Sequence, residues 1–197
     1  LTAQNNPQDE SFGTREIPFS KELYIEKEDF MENPSKKFKR LSIGEEVRLR
    51  YAYFIKCTQV IKDEITGEPI ELICTYDPKT KGGSAPDNRK PKGTIHWVSS
   101  KHSIQSEVRL YDRLCSDPNP DISNDSNLES VLNPNSLEIK KDAQLEPALK
   151  ESDHTIKSQF ESLGYFCLDN KSSDSNTLVF NRTVSLRDSW SKINKGK

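Results

Sequence analysis

Apolar material is what this sequence has least of: only 32% of its 197 residues are hydrophobic, against 30% charged. So small a supply fits small barrels or thin sandwiches better than a large doubly wound sheet, whose central strands read as long apolar runs. No stretch approaches the length of a membrane helix, and no charged-then-apolar signal segment opens the chain. None of the eight glycines falls in a P-loop, a G-x-G-x-x-G or a G-x-S-x-G arrangement. Gly82-Gly83-Ser84 does not lead from a strand into a helix and makes a poor phosphate cradle. The three histidines, His96, His102 and His154, form no H-x-x-H or H-E-x-x-H pair. The four cysteines, Cys57, Cys74, Cys115 and Cys167, include no C-x-x-C, so zinc spacing is missing and buried free thiols in a reducing cytosol are expected. Adjacent acids such as Glu45 and Glu46 point to opposite faces of a strand and are poor acid/base partners. An enzyme reading therefore has no motif to rest on. The chain opens on Leu1 rather than Met, which reads as a piece excised from a longer polypeptide.

Net charge is -2, which by itself runs against nucleic-acid binding, whose usual footprint is a basic domain. The distribution says more. Lys36, Lys37, Lys39, Arg40, Arg48 and Arg50 lie close together, opposed only by Glu45 and Glu46, while acids gather in residues 117–129 and 142–153. A short basic run can be no more than a solvated face. Here the cations alternate on strands and are mixed with Phe38, Tyr51, Tyr53 and Trp97, which can stack unpaired bases at roughly 1–3 kcal/mol each. For Tyr53 and Trp97 a place in a barrel core is the better reading.

Short strand patterns recur along the chain. Residues 1–14 read as an entering linker and 22–26 as β-prone. The clearest strand is 46–56, with Val47, Leu49 and Tyr51 on one face and Arg48 and Arg50 on the other. Residues 58–63 extend the β character, 64–68 make a hairpin turn, and 70–76 return. Residues 77–91 form a long Pro/Gly-containing, basic loop of the kind that is usually functional or disordered. Further strands are expected at 93–99, 107–114, 136–140, 158–161, 164–169 and 178–186. A helical turn is allowed within 142–152 and a helix start at 187–190, before a frayed tail. The sum is an all-β protein with long loops and little helix.

Six segments carry a resemblance: Arg15-Glu16-Ile17-Pro18-Phe19-Ser20; Phe38-Lys39-Arg40-Leu41 with Glu46-Val47-Arg48-Leu49-Arg50; Lys92-Gly93-Thr94-Ile95-His96-Trp97-Val98-Ser99; Arg109-Leu110-Tyr111-Asp112-Arg113-Leu114; Gly164-Tyr165-Phe166-Cys167-Leu168-Asp169; and Phe180-Asn181-Arg182-Thr183-Val184. Together they resemble the C-terminal, anticodon-binding half of glutaminyl-tRNA synthetases, in that family's order and near its spacing, from about Asn5 to about Trp190. The resemblance implies two small β-barrels: a proximal one built from residues 1–34 and 106–197, and a distal one inserted at 35–105. It implies that both grip the anticodon loop of the tRNA for glutamine and splay its bases into separate pockets.

Roles carried over position by position follow from the same resemblance. Arg40 matches the arginine that reads the third anticodon base, a guanine, whose O6/N7 edge suits an arginine fork. Lys39 matches a phosphate-contacting lysine, Arg48 and Arg50 an arginine pair at the first anticodon base, and Gln159 a glutamine at the central uracil. Lys37 stands where the bacterial pattern has glutamine, and Gln8 where it has asparagine. The family's ATP site needs H-I-G-H-like and K-M-S-K-S-like motifs, and neither occurs here. The implied parent is a cytoplasmic class I glutamine-tRNA ligase whose ATP and magnesium bind elsewhere. This segment would hold no cofactor, act as a monomer, and touch neither membrane nor DNA. Two other readings stay open: a glutamyl-tRNA synthetase of the archaeal and eukaryotic type, and a free-standing ribosomal-type RNA-binding barrel. The Tyr165–Asp169 wording and Gln159 favour glutamine.

Overall fold

The structure, a computed structural model, describes residues 1–82, 84–120, 128–174 and 177–186; the helix start expected at 187–190 lies outside them. The chain divides into two compact units, Leu1–Ser103 and Ile104–Lys197. Both are built of strands, so the all-β expectation holds. The only α-helix among the described residues is a single turn, α1 (Leu128–Val131).

The first unit begins with a small antiparallel pair, β1 (Thr2–Gln4) and β2 (Thr14–Glu16). A second short pair joins β3 (Leu23–Tyr24) to β8 (Val98–Ser99). Its main sheet has β4 (Glu46–Leu49), β5 (Phe54–Lys62), β6 (Pro69–Asp77) and β7 (Thr94–Ile95), in the order β6-β5-β4-β7. The β5–β6 hairpin turns where expected: the Asp63 carboxylate accepts from the Ile65 and Thr66 N–H groups at 3.0 and 2.7 Å, and Gly67 supplies φ +70°. Leu41, Val47, Leu49, Ala52, Ile95 and Trp97 are the centre of the core.

The second unit holds β9 (Ile104–Tyr111), β10 (Leu137–Leu145), β11 (Lys157–Phe160), β12 (Gly164–Leu168) and β13 (Leu178–Ser185), in the order β10-β9-β13-β12-β11. Every neighbour is antiparallel except β9 and β13, which run parallel. Ile104, Val108, Leu145, Phe166 and Phe180 form its core, and Phe160 stacks on Phe166 with ring centroids 4.2 Å apart. Asp169, just past β12, accepts from Asn181 Nδ2 at 3.1 Å and Arg109 Nη1 at 3.2 Å, so one carboxylate ties the ends of β12, β13 and β9 together.

Among the described residues no strand pair closes either sheet into a ring. The two units divide at Ser103/Ile104, and Ala3 and Ile17 are buried in the same core as Leu41 and Trp97. Residues 1–14 are therefore not a plain linker. The strand expected at 46–56 is two strands with a tight turn between: Leu49 and Ala52 N–H groups bond to Tyr53 and Leu49 carbonyls at 2.9 Å each, and Tyr51 takes φ +61°. The strand expected at 93–99 is likewise broken, β7 pairing with β4 and β8 with β3. Of the thiols, Cys57 is buried as expected, while Cys74, opposite it on β6, is exposed.

Candidate nucleic-acid interface

The basic segment before β4 is irregular backbone, held by three close approaches. Leu41 N–H donates to the Asp29 carbonyl at 2.9 Å, and the Leu41 carbonyl accepts from Met31 N–H at 3.1 Å, so the residue after Arg40 is clamped against residues 29–31. On the other side lies Gly93. A Cβ built there would collide with the Lys39 carbonyl oxygen and come within 3.1 Å of its carbon, so only glycine lets these backbones meet. Gly93 is itself fixed by the parallel β4–β7 ladder: Arg48 N–H donates to the Gly93 carbonyl at 2.9 Å, and Lys92 N–H to the Glu46 carbonyl at 2.8 Å. This one junction gathers Lys39, Arg40 and Arg48.

Their side chains differ in how far they are committed. Lys36, Lys37 and Lys39 are exposed and make no ion pair with described residues. Arg40 is half-buried and its Nη1 forms an ion pair with Asp29, whose side chain is 6% exposed. Burial pushes the Asp29 carboxyl above the usual carboxylate range, while Arg40 and, less strongly, the positive form of His96 pull it back. Arg48 lies over the Phe54 ring, Cζ 5.7 Å from its centroid. Arg50 sits in the turn beyond β4, so it and Arg48 do not share one strand face. Its N–H donates to the Ile95 carbonyl at 3.0 Å, its carbonyl accepts from Trp97 Nε1 at 2.9 Å, and its guanidinium lies 5.8 Å from the Tyr51 ring centroid.

The two acids that oppose this basic run are both occupied. Glu45 pairs with Lys92 Nζ at 2.9 Å, and Glu46 with Arg89 Nε at 2.8 Å. Arg89 also reaches Asp77 at 2.6 Å and Asp87 at 3.0 Å and lies over Phe54, so this loop cation is a structural clamp rather than a free ligand group. Those hydrogen bonds, to Glu46 first, hold its pKa above the ordinary arginine value.

The other expected residues belong to other elements. Gln8 is exposed on the β1–β2 loop, its N–H bonded to the Asn6 side chain at 2.9 Å, and lies outside the Lys39–Gly93 junction. Gln159 belongs to the second unit, exposed on edge strand β11 opposite Tyr165. Trp97 is 2% exposed, and Tyr51 and Tyr53 are both half-buried and packed against the core, as is Phe19, which Tyr53 touches; Phe38 is half-buried in the basic segment itself. The residues missed by sequence reasoning are Asp29, Gly93 as a packing contact, and Arg89. Only Gly93 left a trace, as part of a recognisable segment.

Two models of the family described as the anticodon-binding domain of class I tRNA synthetases (E and Q) match this chain, one over residues 1–77 and the other over 94–169. Proteins called glutamine–tRNA ligase are similar along nearly all of it. That of Bradyrhizobium diazoefficiens is 55% identical over 192 residues, covering 98% of this chain and 34% of its own. That of Colwellia psychrerythraea is 50% identical over 195 residues, and that of Vibrio cholerae 49% over 195, each covering 99% of this chain and 34% of its own. The chain thus spans about a third of the length of the curated relatives it matches, 34% in each case.

Proposed function

Because this chain belongs to the anticodon-binding domain family of class I tRNA synthetases for glutamate and glutamine, we propose that it holds the anticodon loop of a glutamine tRNA on behalf of a larger glutamine–tRNA ligase. The observation that carries this reading is the junction at Gly93, which sets Lys39, Arg40 and Arg48 side by side while Lys92 and Arg89 occupy the neighbouring acids. A surface of that kind offers one arginine fork for a base edge and loose cations for phosphates. Arg40 reads the guanine at the third anticodon position and Lys39 binds a phosphate. Arg48 and Arg50 serve the first base, and Gln159, from the second unit, the central uracil. Lys37 and Gln8 add contacts around the loop. The ATP and magnesium used in ligation are assigned to a catalytic part outside this sequence, and the parent is placed in the cytoplasm as a monomer. The family covers glutamate and glutamine enzymes alike; the names of the similar proteins favour glutamine.

The test separates base reading from charge. A bidentate arginine–guanine pair contributes about 1–3 kcal/mol of discrimination, whereas one phosphate contact to an unpaired loop changes the salt slope by about 0.7 and leaves base preference alone. Arg40→Ala should weaken binding of glutamine tRNA and hardly affect a tRNA already changed at that guanine. Lys39→Ala should weaken both about equally, and the effect should fade with salt. Equal loss on both tRNAs for Arg40→Ala would make that residue a phosphate clamp and refute its assignment.

A further inference from the structure

We infer that Tyr165 is the stacking surface for the central anticodon base: its ring carries the flat face of the base whose edge Gln159 reads. The inference rests on the role proposed for Gln159 and adds a residue to it. Gln159 on β11 lies directly opposite Tyr165 on β12, and Tyr165 in turn lies opposite Val184 on β13. Residues opposite one another on antiparallel strands share a face, with Cβ atoms about 4.5–5.5 Å apart. All three are exposed, Tyr165 at 41%. They make one row on the outer face of the sheet: an amide, an aromatic ring and a branched aliphatic group. Gly164 and Phe166, on either side of Tyr165 in sequence, are buried, so of these three only Tyr165 turns outward. It takes no part in the core beneath.

The backbone sets this row before any RNA arrives. Phe166 is fully buried and stacks on Phe160, which anchors β12 from below. The β12–β13 register shifts between Tyr165 and Phe166, leaving Thr183 as the extra residue of a bulge, and its hydroxyl donates to the Tyr165 carbonyl at 3.0 Å. At the turn between β11 and β12, Leu163 N–H donates to the Phe160 carbonyl at 3.0 Å. Gly164 then takes φ +148° and lies so close to the Val184 carbonyl that a Cβ there would collide with it.

The Gln159 amide supplies donors and an acceptor for a uracil edge but covers little area. A base drawn out of the loop loses its stacking neighbours, and an aromatic side chain replaces them whatever the base is. The cross-strand spacing suits that division of work, since a base laid flat on Tyr165 has its edge within reach of the amide beside it. Tyr165 therefore contributes affinity without choice, and Gln159 contributes choice.

The experiment uses the full-length ligase containing this chain, with Tyr165→Ala, Tyr165→Phe and Gln159→Ala. Kd is measured for glutamine tRNA with uracil, cytosine or an abasic residue at the central anticodon position, and for a tRNA abasic at the first position. Tyr165→Ala should weaken binding by about tenfold on the uracil and cytosine tRNAs alike, and should match the parent on the tRNA abasic at the centre. Tyr165→Phe, which keeps the ring and drops the hydroxyl, should bind as the parent does. The inference is overturned if Tyr165→Ala costs nothing on the uracil tRNA, if its loss persists on the centrally abasic tRNA, or if Tyr165→Phe shares it; a structural or hydrogen-bonding tyrosine gives the last two. A loss that vanishes on the tRNA abasic at the first position puts the ring under another base and overturns it as well. If Gln159→Ala keeps the preference for uracil, the reading of Gln159 fails, while the abasic comparison still decides the stacking. Should Tyr165→Ala melt below the assay temperature, Tyr165→Leu replaces it. That variant keeps an apolar cross-strand contact without a flat ring, so parent-like binding overturns the inference, and a loss confined to tRNAs bearing the central base supports it.

Discussion

Adding one methyl group at Gly93 tests whether the Lys39–Arg40 segment is held by close packing. The backbone there is not left-handed, so the objection to a side chain is purely steric. An added Cβ would lie well inside the 3.0 Å that real Cβ atoms essentially never cross, against the Lys39 carbonyl oxygen, with the carbonyl carbon at 3.1 Å and Arg40 N at 4.0 Å. Relief requires that carbonyl to retreat by roughly 1.5 Å to reach ordinary contact. Neither side is free to give: Gly93 is pinned to β4 through Arg48 N–H at 2.9 Å, and Leu41 to Asp29 at the same distance. Overpacking of this kind costs about 1–3 kcal/mol. Restricting the unfolded chain by replacing glycine returns only about 0.4–1 kcal/mol. A net loss near 1–2 kcal/mol should lower Tm by about 4–8 °C per kcal/mol in a unit of this size. The assay is thermal melting of Gly93→Ala by circular dichroism, followed by tRNA binding at a temperature where both proteins are folded. Binding of the guanine-bearing tRNA should fall further than the melting shift explains, because Lys39 and Arg40 move together. A variant that melts with the parent and binds equally well would refute the packing argument.

Two further outcomes follow from the ion pairs. The hydrogen bond from Asn181 and those from Lys171 and Ser172 hold the Asp169 carboxyl below the usual carboxylate range, so its contribution is present above that range and is lost as pH falls through the lowered value; Asp169→Asn should lower Tm at neutral pH, with the gap to the parent closing below about pH 4, and a gap constant with pH would refute it. Arg89→Ala releases the Glu46 and Asp77 carboxylates beside Arg48, so it should weaken tRNA binding most at low salt and speed proteolysis within residues 77–92; unchanged binding and cleavage would show that the clamp neither shields nor orders the loop.

How much could be read beforehand depended on where the information lay. The β5–β6 hairpin was legible because its turn is written locally, with Asp63 capping N–H groups two and three residues on and Gly67 taking the positive φ. The turn after β4 was not, because Arg50-Tyr51-Ala52-Tyr53 contains neither glycine nor proline and the positive φ falls on a tyrosine. Alternation of Val47, Leu49 and Tyr51 imitated a continuous strand. Trp97 was correctly preferred as core, yet the break it sits in, between pairing with β4 and pairing with β3, is decided by two distant partners. The cationic character around Lys39 and Arg48 was visible in composition. That Glu46 is matched by Arg89, across 43 residues of chain, was not, and neither was the burial of Asp29. The individual base assignments came from the family resemblance and not from any pattern of spacing.

The parallel pairing of β9 with β13 sets an order of events during synthesis. Ser106 of the second unit's first strand lies beside Leu178 of its last, and the two occupy the middle of the sheet. Until residues 178–185 leave the ribosome, the unit can hold only two separate hairpins, β9–β10 and β11–β12, with Val108 and Phe166 both waiting for Phe180 to complete their shared core. Loop closure across the whole unit is slow compared with hairpin formation. The first unit carries no such debt to the end of the chain, since β7 and β8 are in place by Ser99. Lys39, Arg40 and Arg48 can therefore be assembled while the β11–β12 hairpin that bears Gln159 still waits for β13, and a nascent chain stalled before residue 178 should expose the apolar face of both hairpins to chaperones.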